Sequence, residues 1–125
     1  MMPFLDEFRG IYDVVIRHVV SDIMMDDCVR IDDIFQPGVI ASEIEASIRD
    51  SDYIIADISI PNPNVYYELG YATALEKHCI LITRNIDTLP FDIKHRRVVT
   101  YDDSAQGAEE LKEVLKRYIQ AYKNE

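Results

Sequence analysis

Between Asp57 and Gly70 the chain concentrates side chains able to handle a sugar or a phosphate: Asp57, Ser59, Asn62, Asn64, Tyr66, Tyr67 and Glu68. The asparagine amides both donate and accept, which suits the hydroxyl edge of a ribose. Pro63 directly after Asn62 marks a helix start, with Asn62 as cap and Asn64 as the rival cap. Glu68 then falls within two turns of that start. There the exposed N–H groups favour an anion and can equally receive a phosphate or a ribose hydroxyl. On spacing alone the stretch is a candidate pocket. Each residue also has a plainer use. Asn62 and Asn64 serve as caps, Asp57 caps a turn, the tyrosines are core or rim aromatics, and Glu68 is a solvated surface acid. Gly70, which costs about 1 kcal/mol against Ala inside a helix, serves close packing on a sheet.

The elements that must position these residues follow from hydrophobic periodicity. From Asp6 to Met25, Phe8, Ile11, Tyr12, Val15, Val19 and Ile23 recur at helical steps, with Asp6 and Glu7 in the first turn. Cys28-Val29-Arg30-Ile31 is β-prone, Pro37-Gly38 breaks the chain, and Ile40, Ile44 and Ile48 mark a second helix ending near Asp50. Tyr53–Ile58 is a short, branched, continuous apolar run, the pattern of a strand buried on both faces. Val65, Leu69, Ala72 and Leu75 carry the next helix to about Lys77. Cys79–Thr83 and Arg97–Tyr101 read as further strands, and Leu111, Val114, Leu115, Tyr118, Ile119 and Tyr122 as a long last helix. That helix has a polar face of Glu109, Glu110, Lys112, Glu113, Lys116 and Arg117 with acid–base pairs three or four residues apart. Strands alternating with helices point to an α/β sandwich around a parallel sheet, in one domain over residues 1–125. An open doubly wound sheet places a strand before the first helix. Only Met1-Met2-Pro3-Phe4 stands there, so that strand is expected to be missing or very short.

Composition narrows the function classes. With 13 Lys+Arg against 23 Asp+Glu the 125-residue chain carries a net charge of −10. This disfavours duplex nucleic acid and anionic membrane surfaces as partners. The His95-Arg96-Arg97 cluster is expected to solvate a strand start. No apolar run approaches the roughly 20 residues that span a bilayer, and no basic segment leads into a secretory core. Cys28 and Cys79 make no disulfide framework, and His18, His78 and His95 match no metal-ligand spacing. A cytoplasmic domain without metal is the expectation. P-loop, dinucleotide-fold and serine-elbow motifs are all absent from the sequence.

The order Ala56-Asp57-Ile58-Ser59, then Asn62-Pro63-Asn64-Val65-Tyr66-Tyr67-Glu68-Leu69-Gly70-Tyr71-Ala72, resembles the signature of the nucleoside 2-deoxyribosyltransferase-like and TIR-like superfamily. Ile80-Leu81-Ile82-Thr83 and Leu89-Pro90-Phe91-Asp92 extend it downstream. Met2-Pro3-Phe4, Arg30-Ile31-Asp32-Asp33 and Gly38-Val39-Ile40 extend it upstream, so that it covers about residues 2–101.

The resemblance implies a flavodoxin-like three-layer sandwich whose helix-borne glutamate attacks or stabilises C1′ of a ribosyl group. By position Glu68 takes that role. Asp57, Ser59, Asn62 and Asn64 become candidates for ribose or phosphate contacts, and Phe4 for packing on the base. The implied ligand is a nucleoside, a nucleoside monophosphate or NAD as substrate, with no resident cofactor, and subunits of a homo-oligomer are expected to close the pocket. TIR-like domains that sense nucleotides or self-associate without turnover form the second expectation.

Overall fold

The computed structural model describes residues 10–28, 41–89 and 97–124. These fall into two compact units, one within Val29–Thr100 and one combining residues 10–28 with the segment from Tyr101 onward.

The first unit is built on a three-stranded, all-parallel sheet in the order β1-β2-β3. Strand β1 is Tyr53–Asp57, β2 is His78–Thr83 and β3 is Val98–Thr100. Ile54 pairs with Cys79, Ala56 with Leu81 and Asp57 with Ile82, while Leu81 pairs onward with Val98 and Thr83 with Thr100. Helix α1, Ala41–Asp50, precedes β1, and helix α2, Pro63–Ala74, makes the crossover that parallel pairing demands. The result is the expected α/β arrangement, consistent with a flavodoxin-like fold. The Phe4 and first-strand expectations lie outside the described residues, as do residues 29–31 of the strand expected at Cys28-Val29-Arg30-Ile31.

Strand alternation explains the core. Ile54, Ala56 and Ile58 share one face of β1 and pack with Leu81, with Val65, Leu69 and Ala72 of α2, and with Ile48 of α1. Ile55, Ile80 and Ile82 are buried too and belong to the other face. The unbroken apolar run of β1 is thus explained by cover on both faces, each fully buried Ile or Leu contributing about 1.5–3 kcal/mol before entropy is set against it.

Helix α2 ends earlier than expected. Leu75 caps it, and Glu76 takes a left-handed conformation at φ 57°. Lys77 N–H bonds to the Ala72 carbonyl at 3.0 Å and Glu76 N–H to that of Thr73 at 2.9 Å, a Schellman closure. The Lys77 ammonium then donates to the Arg49 and Ser51 carbonyls at 2.6 and 2.9 Å, tying the end of α2 to the end of α1. Gly70 is also corrected. It is exposed, and a Cβ there would meet nothing within 4 Å, so it makes no close packing on the sheet.

In the second unit, the stretch expected to be one ordinary helix runs as two wider-turned segments, Ile11–Ile16 and His18–Ile23, bonded i→i+5. The buried residues come in pairs, Ile11/Tyr12, Val15/Ile16 and Val19/Val20. A strict four-residue repeat drifts across an ordinary helix of 3.6 residues per turn, and a wider turn opposes that drift. Ile23, the next position of the repeat and the last residue of the segment, is exposed. Helix α3, Ala105–Lys123, buries Leu111, Leu115 and Ile119. Its cap Ser104 accepts from Gly107 N–H at 2.9 Å, and Lys123 pairs with Asp26 at 2.8 Å. Of the pairs expected on its polar face, Lys112–Glu109 closes at 2.9 Å.

Candidate active site

Parallel α/β sheets bind ligands beyond the carboxyl ends of their strands. Here that edge carries the end of β1, the start of α2 and the end of β2, and the candidate residues from Asp57 onward lie in this one unit.

Asp57 ends β1 with no exposed surface. A buried carboxylate must be hydrogen-bonded to be tolerated. Its Oδ1 accepts from Ser59 N–H at 2.9 Å and from the Ser59 hydroxyl at 2.6 Å, the length of a charge-assisted O–H···O⁻ bond. The same hydroxyl oxygen accepts from Arg84 N–H at 2.9 Å. Ser59 therefore clamps the end of β1 to the residue after β2. The Ile58 N–H to Ile82 carbonyl bond at 2.9 Å continues the sheet alongside. The hydroxyl proton that could have met a ribose is committed to Asp57.

Asn62 is the helix cap. Its Oδ1 accepts from Asn64 N–H at 2.9 Å and Val65 N–H at 3.2 Å, which satisfies two of the donors at the start of α2. Pro63 takes the first helical position. The rivalry between the two asparagines resolves in favour of Asn62, and Asn64 is exposed in the first turn.

Glu68 is not a solvated surface acid. It retains 8% exposure, and its Oε2 is wholly withdrawn from solvent. As the sixth residue of α2 it lies about 8 Å along the axis from the helix start, and helical side chains lean back toward the N-terminus. It shares its flank with Val65, Leu69 and Ala72, the residues packed on the sheet. Asp57 alternates with Ala56 and Ile58 and so belongs to the opposite face of β1. A ligand touching both acids has to lie across the carboxyl edge.

The tyrosines divide. Tyr66 packs at the margin of the core, and its hydroxyl is buried with no hydrogen-bond partner among the described residues. Burial pushes that phenol above the ordinary value. Tyr67 is exposed and donates to Glu45 Oε1 at 2.7 Å, a bond that, with the repulsion of the Glu45 charge, raises its phenol too. Tyr71 accepts from Arg49 at 3.1 Å. Tyr67 and Tyr71 thus hold α1 against α2.

Arg84, half-buried beside Ser59, is the residue that the sequence reading missed at this edge. Its signal was available: a lone cation immediately after a buried strand.

Among the described residues no three His, Cys, Asp or Glu side chains are grouped to hold a metal, and no helix is long and apolar enough to cross a membrane. Cys28 and Cys79 are half-buried thiols, and burial raises Cys28 above its ordinary value. Compared with models of known protein families and with curated protein sequences, the chain matches none.

Proposed function

We propose that the chain cleaves or transfers the N-glycosidic bond of a nucleotide, with Glu68 at C1′, as its resemblance to the nucleoside 2-deoxyribosyltransferase-like and TIR-like superfamily implies. The observation that supports this reading is the burial of Glu68 on the helix that starts at the carboxyl edge of a parallel sheet. Loss of a base from C1′ builds positive charge on that carbon and on the ring oxygen. A carboxylate held there stabilises the charge or forms a glycosyl ester that water or a second nucleotide then opens. Shielding from water strengthens that interaction.

The leaving group decides whether an acid is needed. Asp57 Oδ1 is engaged by two hydrogen bonds from Ser59 that join the strand ends, and the stretch from Asp57 to Gly70 contains no histidine to serve as the acid. This favours a base that departs without protonation, as a pyridinium does, so NAD is a substrate to test beside the nucleosides and their monophosphates. In this reading the protein works in the cytoplasm as a homo-oligomer and needs no resident cofactor.

The test is base release followed by chromatography on NAD, deoxynucleosides and their monophosphates. Glu68→Gln is expected to lower release at least about a thousandfold while the unfolding midpoint holds. Turnover retained in that variant removes Glu68 from the reaction. Ligand binding without turnover by the unaltered protein supports the non-catalytic nucleotide-sensing module instead.

A further inference from the structure

We propose that residues 11–23 form a two-register element, which exchanges its wide-turned winding for an ordinary α-helix by turning Val20 out and Ile23 in. The exchange is independent of the glycosidic reading. In the register seen, Arg17 N–H bonds to the Tyr12 carbonyl and Met24 N–H to that of Val19, the latter at 2.9 Å. Val20 is buried at 4% exposure, while Ile23 is 39% exposed. Rewound at about 100° per residue, Ile11, Tyr12, Val15, Val19 and Ile23 fall on one face. Val20 then lies about 110° from the centre of that face, toward solvent, with Ile16 at the margin. Ile11, Tyr12, Val15 and Val19 thus serve both windings, and one branched aliphatic is traded for another. The surface that receives Ile23 is already in place. Both wide segments pack on α3, and Asp26 pairs with Lys123 at 2.8 Å, so the end of the second segment stands beside the last turn of that helix. Backbone terms favour the ordinary winding. Bonding of the i→i+5 kind is rare beyond a single turn, and Met25, next after the segment, holds a left-handed φ of 59° that is costly for any residue but glycine. Burial of Val20 opposes them, and trading it for Ile23 buries a similar apolar area, which leaves two packings of one sequence close in free energy. What the change of winding controls is the exposure of Val20, and whatever covers an outward Val20 favours the ordinary helix.

A double-mutant cycle read by urea unfolding of the full chain tests the exchange. In the unaltered protein Ile23→Ala should change the unfolding equilibrium constant less than about threefold, as at an exposed position. Val20→Gln makes the outward position the better one for residue 20. In that background Ile23→Ala should lower the constant at least about thirtyfold, as loss of a buried isoleucine does. NMR couplings across hydrogen bonds read the winding itself. Met24 N–H should report the Val19 carbonyl in the unaltered protein and the carbonyl of residue 20 in Val20→Gln. Val20→Thr, closer in shape to valine, carries the same cycle if Val20→Gln does not fold. An Ile23→Ala effect equally mild in both backgrounds overturns the proposal, as does a Met24 N–H still bonded to Val19 in the variant. Failure of both Val20 variants to fold overturns it too, because an element with a second register has a place outside for a polar residue 20.

Discussion

The Ser59 clamp can be weighed. Removing its hydroxyl with Ser59→Ala deletes the 2.6 Å bond to Asp57 Oδ1 and the 2.9 Å bond from Arg84 N–H. The first is charge-assisted and joins a carboxylate with no exposed surface, which puts it at about 1.5–3 kcal/mol. The second strands a part-buried backbone donor at the end of β2, costing about 1 kcal/mol. Ser59 N–H still reaches Asp57 at 2.9 Å, so the carboxylate keeps one of its two bonds from this residue. The sum is about 2.5–4 kcal/mol, large against a total stability of roughly 5–15 kcal/mol for a native protein.

Urea unfolding at neutral pH measures it. The midpoint should fall with the slope unchanged, because the surface exposed on unfolding is the same. Ser59→Thr keeps the hydroxyl and should recover most of the loss. A Ser59→Ala variant within about 0.5 kcal/mol of the parent refutes the clamp, since a change that small is typical of surface substitutions with no buried role.

Other perturbations discriminate equally well. Asn62→Ala should cost about 1 kcal/mol by urea melting, because two N–H groups at the start of α2 lose their acceptor, whereas Asn62→Asp should hold stability. Gly107→Ala should cost about 3 kcal/mol, since its Cβ would lie 2.8 Å from the Asp102 carbonyl carbon and closer still to the oxygen, and backbone cannot swing aside as a side-chain tip can. The folded state favours protonated phenols at Tyr66 and Tyr67, so the stability they contribute is complete below the ordinary value of 10.0 and is lost as pH rises through their elevated values. Thermal melts between pH 9 and 11 should therefore show a decline that Tyr67→Phe lessens.

The parallel sheet and the Asn62-Pro63 helix start were legible because they are written locally, in an unbroken apolar strand and in a cap followed by proline. What escaped was written in space. The end of α2 carries no glycine, because Glu76 accepts the left-handed conformation at a cost of about 1–2 kcal/mol and the Lys77 ammonium bonds across to the end of α1. Nothing in the local pattern announces that. Gly70 misled for the converse reason: a glycine inside a helix suggests a close neighbour, and here the space beside it is open. Ser59 looked like a ligand contact because only tertiary structure shows that its hydroxyl is spent between two strands. The wide-turned segments at Ile11–Ile16 and His18–Ile23 escaped because a four-residue apolar repeat lies near enough to 3.6 to read as an ordinary helix.

Glu68 separates stability from function most sharply. On its flank of α2 the neighbours Val65, Leu69 and Ala72 pack on the sheet, and a leucine or methionine at position 68 would continue that apolar stripe. A glutamate with 8% exposure instead carries the penalty of withdrawing a carboxyl group from water. Buried ionisable groups are over-represented where chemistry is done, and this burial is what the proposed reading uses. Asp57 is the instructive contrast: it too is buried, but its oxygen joins two strands through Ser59, so its burial has a structural return. The two acids should accordingly respond in opposite ways. Weakening the surroundings of Asp57 should cost the fold, whereas on the proposed reading neutralising Glu68 at constant volume should leave the fold and abolish base release.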